Sequence, residues 1–495
     1  MHATIPHWIN GRPYLDAAAP KLPVEDPATG EQVAEVTLAD DATVKIAVDA
    51  ALGAAAGWAA LPAARRAQAL YAFRELVRDH IDELAAMITT QHGKTLDDAR
   101  GEVTRGLDAV ELACGVPGLM KGEMSEQTGR NIDTYSTLHP LGVVVGITPF
   151  NFPVMIPLMM ASVAIAAGNA FVLKPSEQDP GPALRIAELA QEAGIPDGIF
   201  TIVNGQRECV EALVDHPDVA AVSFVGSTPI AHSIYRRAAE AGKRAQAFGG
   251  AKNHLVVMPD APIESAADAI SSAAFGAAGQ RCMAISVAVA VGDIADDLVA
   301  ALKQRTEGIR VGPGTDPATE VGPVVSRVAR DRIRHLVSGA VDAGAVPVVD
   351  RSRIEVGGHP GGHFVGPVLL DQVAPDSELY RTEVFGPVLA VVRVDTLDEA
   401  LELIRTHEYG NGASIFTRSG NAAHRFQREA SAGMVGINVP IPVPVSTYAV
   451  AGWKRSRFGD TGLTNASWTF YTQPKYVTSR WDDTVAGMDF GFRPN

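Results

Sequence analysis

From residue 134 to residue 173 the chain carries no Lys, Arg, Asp or Glu, and within that run 152–173 is apolar almost throughout. A stretch of this kind must be kept from water, either in a bilayer or inside a folded core. Pro153 and Pro157 break its start, Gly168 and Asn169 interrupt its end, and no Lys- or Arg-rich flank anchors it. It therefore predicts a helix buried between layers rather than a membrane span. At 495 residues the chain exceeds what one core accommodates, so two or three domains are expected.

The flanking patterns indicate the layers. Residues 61–90 place Leu70, Phe73, Val77, Ile81, Leu84 and Ile88 at three-and-four spacing, which predicts a one-sided packing helix. Short β-rich runs follow at 143–147, 170–173, 200–203 and 219–225, separated by helical stretches. A second series lies at 254–258, 285–291, 388–392, 413–417 and 434–438. This alternation predicts an α/β chain of parallel strands with crossover helices, in two lobes that meet near Gly249-Gly250. His359 and His363 lie in a glycine-rich segment with no third ligand nearby, so it reads as a mobile loop and no metal is expected.

Charge narrows the partners. There are 42 basic and 57 acidic residues, a net of −15, with no long basic run, which argues against nucleic acid and anionic membrane and favours a small diffusible substrate. Cys114, Cys209 and Cys282 are odd in number, far apart and without a CxxC pair. That pattern argues against a disulfide framework or a zinc site and suits a reducing compartment. The N-terminus shows neither an apolar signal core nor an Arg-rich presequence, so a cytoplasmic location is expected.

Of the three thiols, Cys282 has the setting of a nucleophile. It closes the tetrad Gly279-Gln280-Arg281-Cys282 after the small-residue segment 271–278, so a substrate carbonyl can approach and Arg281 would favour the thiolate. The competing reading is a small buried hydrophobe. Attack on a carbonyl needs donors for the oxyanion, and Asn151, directly after a predicted strand, is either such a donor or a turn residue before proline. Lys174 and Glu177 follow the strand at 170–173, where open α/β sheets bind ligands; both suit ribose hydroxyls, and a carboxylate there repels a 2′-phosphate. Ser227 ends a strand and opens a helix, offering free N–H groups to a pyrophosphate or serving as an ordinary N-cap.

Together Pro149-Phe150-Asn151-Phe152-Pro153, Lys174-Pro175-Ser176-Glu177, Phe224-Val225-Gly226-Ser227, Gly279-Gln280-Arg281-Cys282 and Glu383-Val384-Phe385-Gly386-Pro387 resemble, in order and approximate spacing, the aldehyde dehydrogenase superfamily. The resemblance runs from about Trp8 to Trp481. It implies a Rossmann-type NAD-binding domain (1–122 and 142–250), an α/β catalytic domain (251–440) and a small β oligomerisation arm (123–141 and 469–495) in a homodimer or homotetramer. It also implies that Cys282 forms a thiohemiacetal, that Asn151 and the Cys282 N–H hold the oxyanion, and that hydride passes to NAD. Thr148, Phe150, Lys174, Glu177, Gln178 and Ser227 would bind that cofactor, with Glu383 on the nicotinamide ribose and Phe385 beside the nicotinamide.

The departure from the family is informative. Hydrolytic members carry Glu-Leu-Gly-Gly-Lys where this chain has Ala247-Phe248-Gly249-Gly250-Ala251-Lys252, and no carboxylate occurs from 241 to 259. A thiol of pKa about 8.5 needs far less help than water at about 15.7, so a site without that base suits coenzyme A as acyl acceptor. With Gly-Ala-Lys-Asn-His and the segment 439–444, the chain resembles the CoA-acylating methylmalonate-semialdehyde dehydrogenase branch. That resemblance implies oxidation of methylmalonate or malonate semialdehyde to propionyl-CoA or acetyl-CoA with loss of CO2. The substrate carboxylate needs a guanidinium, and Arg281 and Arg105 are the candidates, Arg105 being otherwise a surface helix arginine. The alternatives are a hydrolytic NAD-dependent dehydrogenase of succinate semialdehyde or another acid aldehyde, and a non-catalytic protein on the same fold.

Overall fold

The computed structural model describes residues 2–459 and 462–481. Two parallel sheets dominate it. The first is ordered Arg457–Phe458, Arg244–Phe248, Val219–Val225, Val143–Ile147, Ala170–Lys174, Phe200–Ile202, His7–Ile9 and Arg12–Tyr14. Its central strands pair in parallel, Val143 opposite Ala170 and Ile147 opposite Lys174, while the outer strands at both edges run antiparallel. From Val143–Ile147 the chain builds outward first on one side and then on the other. The carboxyl ends of Val143–Ile147 and Val219–Val225 part at this reversal, the place where open α/β sheets leave a crevice.

The second sheet is ordered Val346–Asp350, Val368–Asp371, Val388–Val394, Ile285–Val291, Asn253–Val257, Gly412–Phe416 and Met434–Ile437, parallel except at the first pair. Its central strands are buried along nearly their whole length, as strands covered by helices on both faces must be. A third sheet is antiparallel: Ile132–Pro140 pairs with Thr472–Arg480 on one side and with Met124–Gly129 on the other. The expected arm segment 469–495 extends past residue 481, and its last part lies outside the described residues.

The uncharged run forms the strand Val143–Ile147, the helix Met155–Ala166 and the strand Ala170–Lys174. Every helix residue from Ile156 to Ala166 is buried. With no polar side chains of its own at either end, the helix has its ends satisfied by others. Glu102 Oε1 accepts from the Val154 and Met155 amides at 2.9 and 3.2 Å. At the far end the Trp58 indole donates to Ile165 O, Arg66 to Ala166 O and the Asn169 amide to Ala164 O. Among the described residues no single helix is long and apolar enough to cross a membrane.

The expected single helix over 61–90 is two, Ala63–Asp79 and Ile81–His92. The break falls at His80, whose Nδ1 lies 2.7 Å from Leu76 O and ends the first helix, while Asp82 and Glu83 favour the start of the second. The apolar stripe survives the break, since Leu70, Phe73, Val77, Leu84 and Ile88 are all buried.

Gly146 leaves the space that the Phe171 ring of the neighbouring strand fills, and a Cβ there would overlap the ring. Gly146→Ala is expected to destabilise the first sheet by about 1–3 kcal/mol through overpacking, read as a lower urea midpoint. An unchanged midpoint would show that the ring has room to move.

Candidate active site

The nucleophile loop is built on strained backbone. Ala277, Ala278 and Gly279 all have positive φ (49°, 53° and 69°), a conformation that costs an alanine about 1–2 kcal/mol. Outside contacts hold it. Asp98, in the first turn of the helix Leu96–Cys114, accepts from the Ala277 amide at 3.0 Å, and Gln280 Oε1 accepts from the Val325 amide. Gly279 abuts the backbone of Gly386, where a Cβ would overlap the carbonyl, so this position admits only glycine. Beyond it the Cys282 carbonyl accepts from the side-chain amides of Asn253 and Asn411 at 2.9 and 3.1 Å. Cys282 thus lies between two fixed points.

The thiol lines a small cavity with Arg281, Ala251, Asn253, Glu383 and Phe385. Burial pushes it up to about 11, helped by the nearby Glu383 carboxylate and opposed less strongly by Arg281. Arg281 does favour the thiolate, as expected, but burial and Glu383 outweigh it. Its guanidinium also donates to Asp98 Oδ1 at 2.5 Å.

A carboxylate does reach the corner where 241–259 supplies none: Glu383. It arrives from the other lobe, accepting from the Ala251 amide at 3.0 Å and closing on Gly250, where a Cβ would sit 2.5 Å from Oε2. Burial raises it to about 7, against the pull of that hydrogen bond and of Lys252. Lys252 is itself buried, donates to the Leu379 and Thr382 carbonyls, and is lowered by burial to about 7.

Asn151 is buried, and its side-chain amide donates to Gln280 O at 3.0 Å, placing it against the chain that carries Cys282. Phe150 meets Phe385 edge-to-face with centroids 5.7 Å apart, joining the two lobes beside the thiol. Thr148, Phe150, Lys174, Glu177, Gln178 and Ser227 line a cleft of about 730 Å³ at the reversal of strand order. Lys174 and Glu177 pair with each other at 2.9 Å. In the cleft wall Thr148 Oγ1 and Gln178 Oε1 are buried without a partner, and Ser227 makes no side-chain cap to the helix Thr228–Glu240, so donors and acceptors remain for a polar ligand. Arg105 stands apart from the thiol cavity, bonded to Asp108 and to Pro444 O at 2.6 Å.

Sequence reading missed Asp98, Lys94, Glu102 and Asn411. The first and third share a face of one helix with Arg105 at i, i+4, i+7 spacing, a charged stripe that reads as ordinary solvated surface until its partners are known.

A sequence profile described as the aldehyde dehydrogenase family matches residues 14–477. This chain belongs to the aldehyde dehydrogenase family. It is 49% identical over 480 residues to malonate-semialdehyde dehydrogenase of Pseudomonas aeruginosa, covering 97% of this chain and 96% of that one. An acylating, mitochondrial methylmalonate-semialdehyde dehydrogenase of Arabidopsis thaliana is 46% identical over 484 residues, covering 98% and 80%. Among solved structures, a Sinorhizobium meliloti protein complexed with NAD superposes with a TM-score of 0.97 at 48% identity, covering 98% and 99% of the two chains. Methylmalonate-semialdehyde dehydrogenase from Oceanimonas doudoroffii gives 0.96 at 49%, covering 97% and 99%.

Since the Glu383 anion opposes ionisation of Cys282, Glu383→Gln is expected to speed iodoacetamide alkylation of Cys282 severalfold at pH 8. The gain should fade below about pH 7, where the native carboxylate is itself protonated. Alkylation rates that match at every pH would remove Glu383 from the thiol's electrostatic surroundings.

Proposed function

We propose that this aldehyde dehydrogenase carries out the NAD-dependent, CoA-acylating oxidation of methylmalonate or malonate semialdehyde, giving propionyl-CoA or acetyl-CoA and CO2. The observation that carries this reading is the end of the strand Arg244–Phe248. The strand closes in buried Ala247 and Phe248, with Ala247 standing where hydrolytic relatives place their water-activating glutamate, and the carboxylate that does reach this corner, Glu383, gives one oxygen to the Ala251 amide and is assigned to the cofactor. The names of the Pseudomonas aeruginosa and Arabidopsis thaliana relatives support the same substrates.

In this reading the cleft holds the cofactor: Lys174 and Glu177 take the adenosine ribose, Ser227 and its helix N-terminus the pyrophosphate, and Thr148, Phe150, Gln178, Glu383 and Phe385 the remainder. The unpartnered Thr148 and Gln178 oxygens fit such a ligand. Bound NAD supplies the hydride acceptor. Cys282 gives up its proton to solvent, its Sγ adds to the aldehyde carbon, and the Asn151 amide and the Cys282 N–H receive the charge that moves onto oxygen. Loss of hydride leaves a thioester on Cys282. The substrate carboxylate then departs as CO2, its bonding pair passing into the thioester enolate, which takes a proton at carbon. Attack by the CoA thiolate expels the Cys282 thiolate as acyl-CoA forms. Arg281 orients the substrate carboxylate with the guanidinium nitrogens that Asp98 leaves free, and Arg105 is the second candidate.

The lobes of residues 1–122 with 142–250, and of 251–440, would serve as cofactor and catalytic domains. Exposed Met124 and Tyr476 on the third sheet support its use as an arm between subunits of a homodimer or homotetramer.

Without CoA the enzyme should give a burst of NADH equal to its Cys282 content, one per chain, and then slow turnover, and CoA should restore it. Arg281→Leu should cost carboxylate-bearing substrates roughly 10- to 100-fold in kcat/KM, the worth of a charge-assisted hydrogen bond, while sparing propanal. Sustained release of a free acid at full rate without CoA would make this a hydrolytic dehydrogenase.

A further inference from the structure

Beneath the turn that carries Asn151 lies a buried ion pair outside the site just described. Lys94, about 1% exposed, follows the left-handed Gly93 and sends its ammonium inward. There it donates to Glu102 Oε2 at 2.7 Å and to the Asn151 carbonyl at 2.7 Å, and it sits 4.6 Å from the centre of the Phe152 ring. The other oxygen of Glu102, also buried, accepts the Val154 and Met155 amides. One ion pair therefore grips residues 151, 152, 154 and 155 together. The nearby Asp179 carboxyl is held well above the usual carboxylate range by burial and by Glu102.

Such a pair is an inefficient way to gain stability, because desolvating two charges offsets their attraction. Its geometry serves aim instead. The Asn151 side chain reaches Gln280 O across the lobe boundary, and a shift of its backbone would swing the amide away from the thiol loop. Lys94 also belongs to the segment that locks onto the other lobe: the Leu96 amide donates to Gly314 O, and Gly314 and Gly322 press against the 93–94 backbone so closely that neither tolerates a Cβ. The clamp is thus referenced to both lobes.

We propose that Lys94 and Glu102 are positioning residues for the oxyanion donor, fixing the Asn151 backbone so that its side-chain amide stays aimed at the carbonyl carried by Cys282. The proposal rests on the reading of Asn151 as that donor. It gives the stripe on the helix Leu96–Cys114 a common purpose: Asp98 holds the nucleophile loop, Glu102 the donor turn, and Arg105 the carbonyl of Pro444.

The test is a double-mutant cycle on the full-length enzyme, reading the single-turnover rate of NADH formation from propanal. Lys94→Met should slow the burst about 10- to 100-fold, less than or equal to the 10²–10³ expected for Asn151→Ala. NAD affinity and iodoacetamide alkylation of Cys282, neither of which develops an oxyanion, should be unchanged. In the Asn151→Ala background the same lysine substitution should cost less than about twofold, because the group it positions is gone. Where Lys94→Met does not fold, Glu102→Gln keeps the acceptor for the helix amides while removing the charge that holds Lys94, and it enters the same cycle. Equal penalties in both backgrounds, or an unaffected burst, overturn the proposal. An Asn151→Ala burst at the native rate overturns the donor assignment itself, an outcome distinct from failure of the clamp.

Discussion

Burying a helix that has no charged side chain of its own obliges other elements to satisfy its ends, and much of this molecule follows from how Met155–Ala166 meets that demand. Each unpaired peptide group left in such a core would cost about 1–3 kcal/mol. Glu102 answers at the amino end; Trp58, Arg66 and Asn169 answer at the carboxyl end. These side chains come from three other helices and from the loop that follows. The packing of the first lobe and the placement of the turn before the helix are therefore one problem with one solution, and Asn151 sits on that turn.

The second lobe supplies the complementary constraint. Its nucleophile loop runs through left-handed alanines that would relax without Asp98, and it passes so close to the 386 backbone that a side chain at 279 is excluded. The thiol loop and the donor turn belong to different sheets, yet both are tied to the helix Leu96–Cys114. A single rigid element thus serves as the common reference for groups that must meet within hydrogen-bonding distance.

The parallel strands were legible because doubly covered strands are continuous apolar runs: Val143–Ile147, Val219–Val225 and Ile285–Val291 fall where the sequence places them. Arg244–Phe248 was not legible, since Arg244, Gln246 and the small alanines carry no strand signal and Gln246 is paid for by Ser223, a partner visible only in space. The helix break at His80 was hidden for a similar reason, because the apolar spacing runs straight through it. At the site, the motif residues could be named from their order alone, whereas their electrostatics could not. Arg281 is next to Cys282 in sequence and pairs with Asp98, yet at the thiol it is outweighed by Glu383, distant in sequence. Adjacency along a chain says which groups are tethered together, and only the fold decides which way each one faces.

The raised thiol has a consequence for the resting protein. With Cys282 near 11, only about one molecule in ten thousand carries a thiolate at pH 7, and it is the thiolate that peroxides and electrophilic metabolites attack. Cys114 and Cys209 are shut in the core and pushed up to about 11 and 12 by burial. An idle molecule therefore presents little reactive thiolate, and its nucleophile rests in the less reactive thiol form.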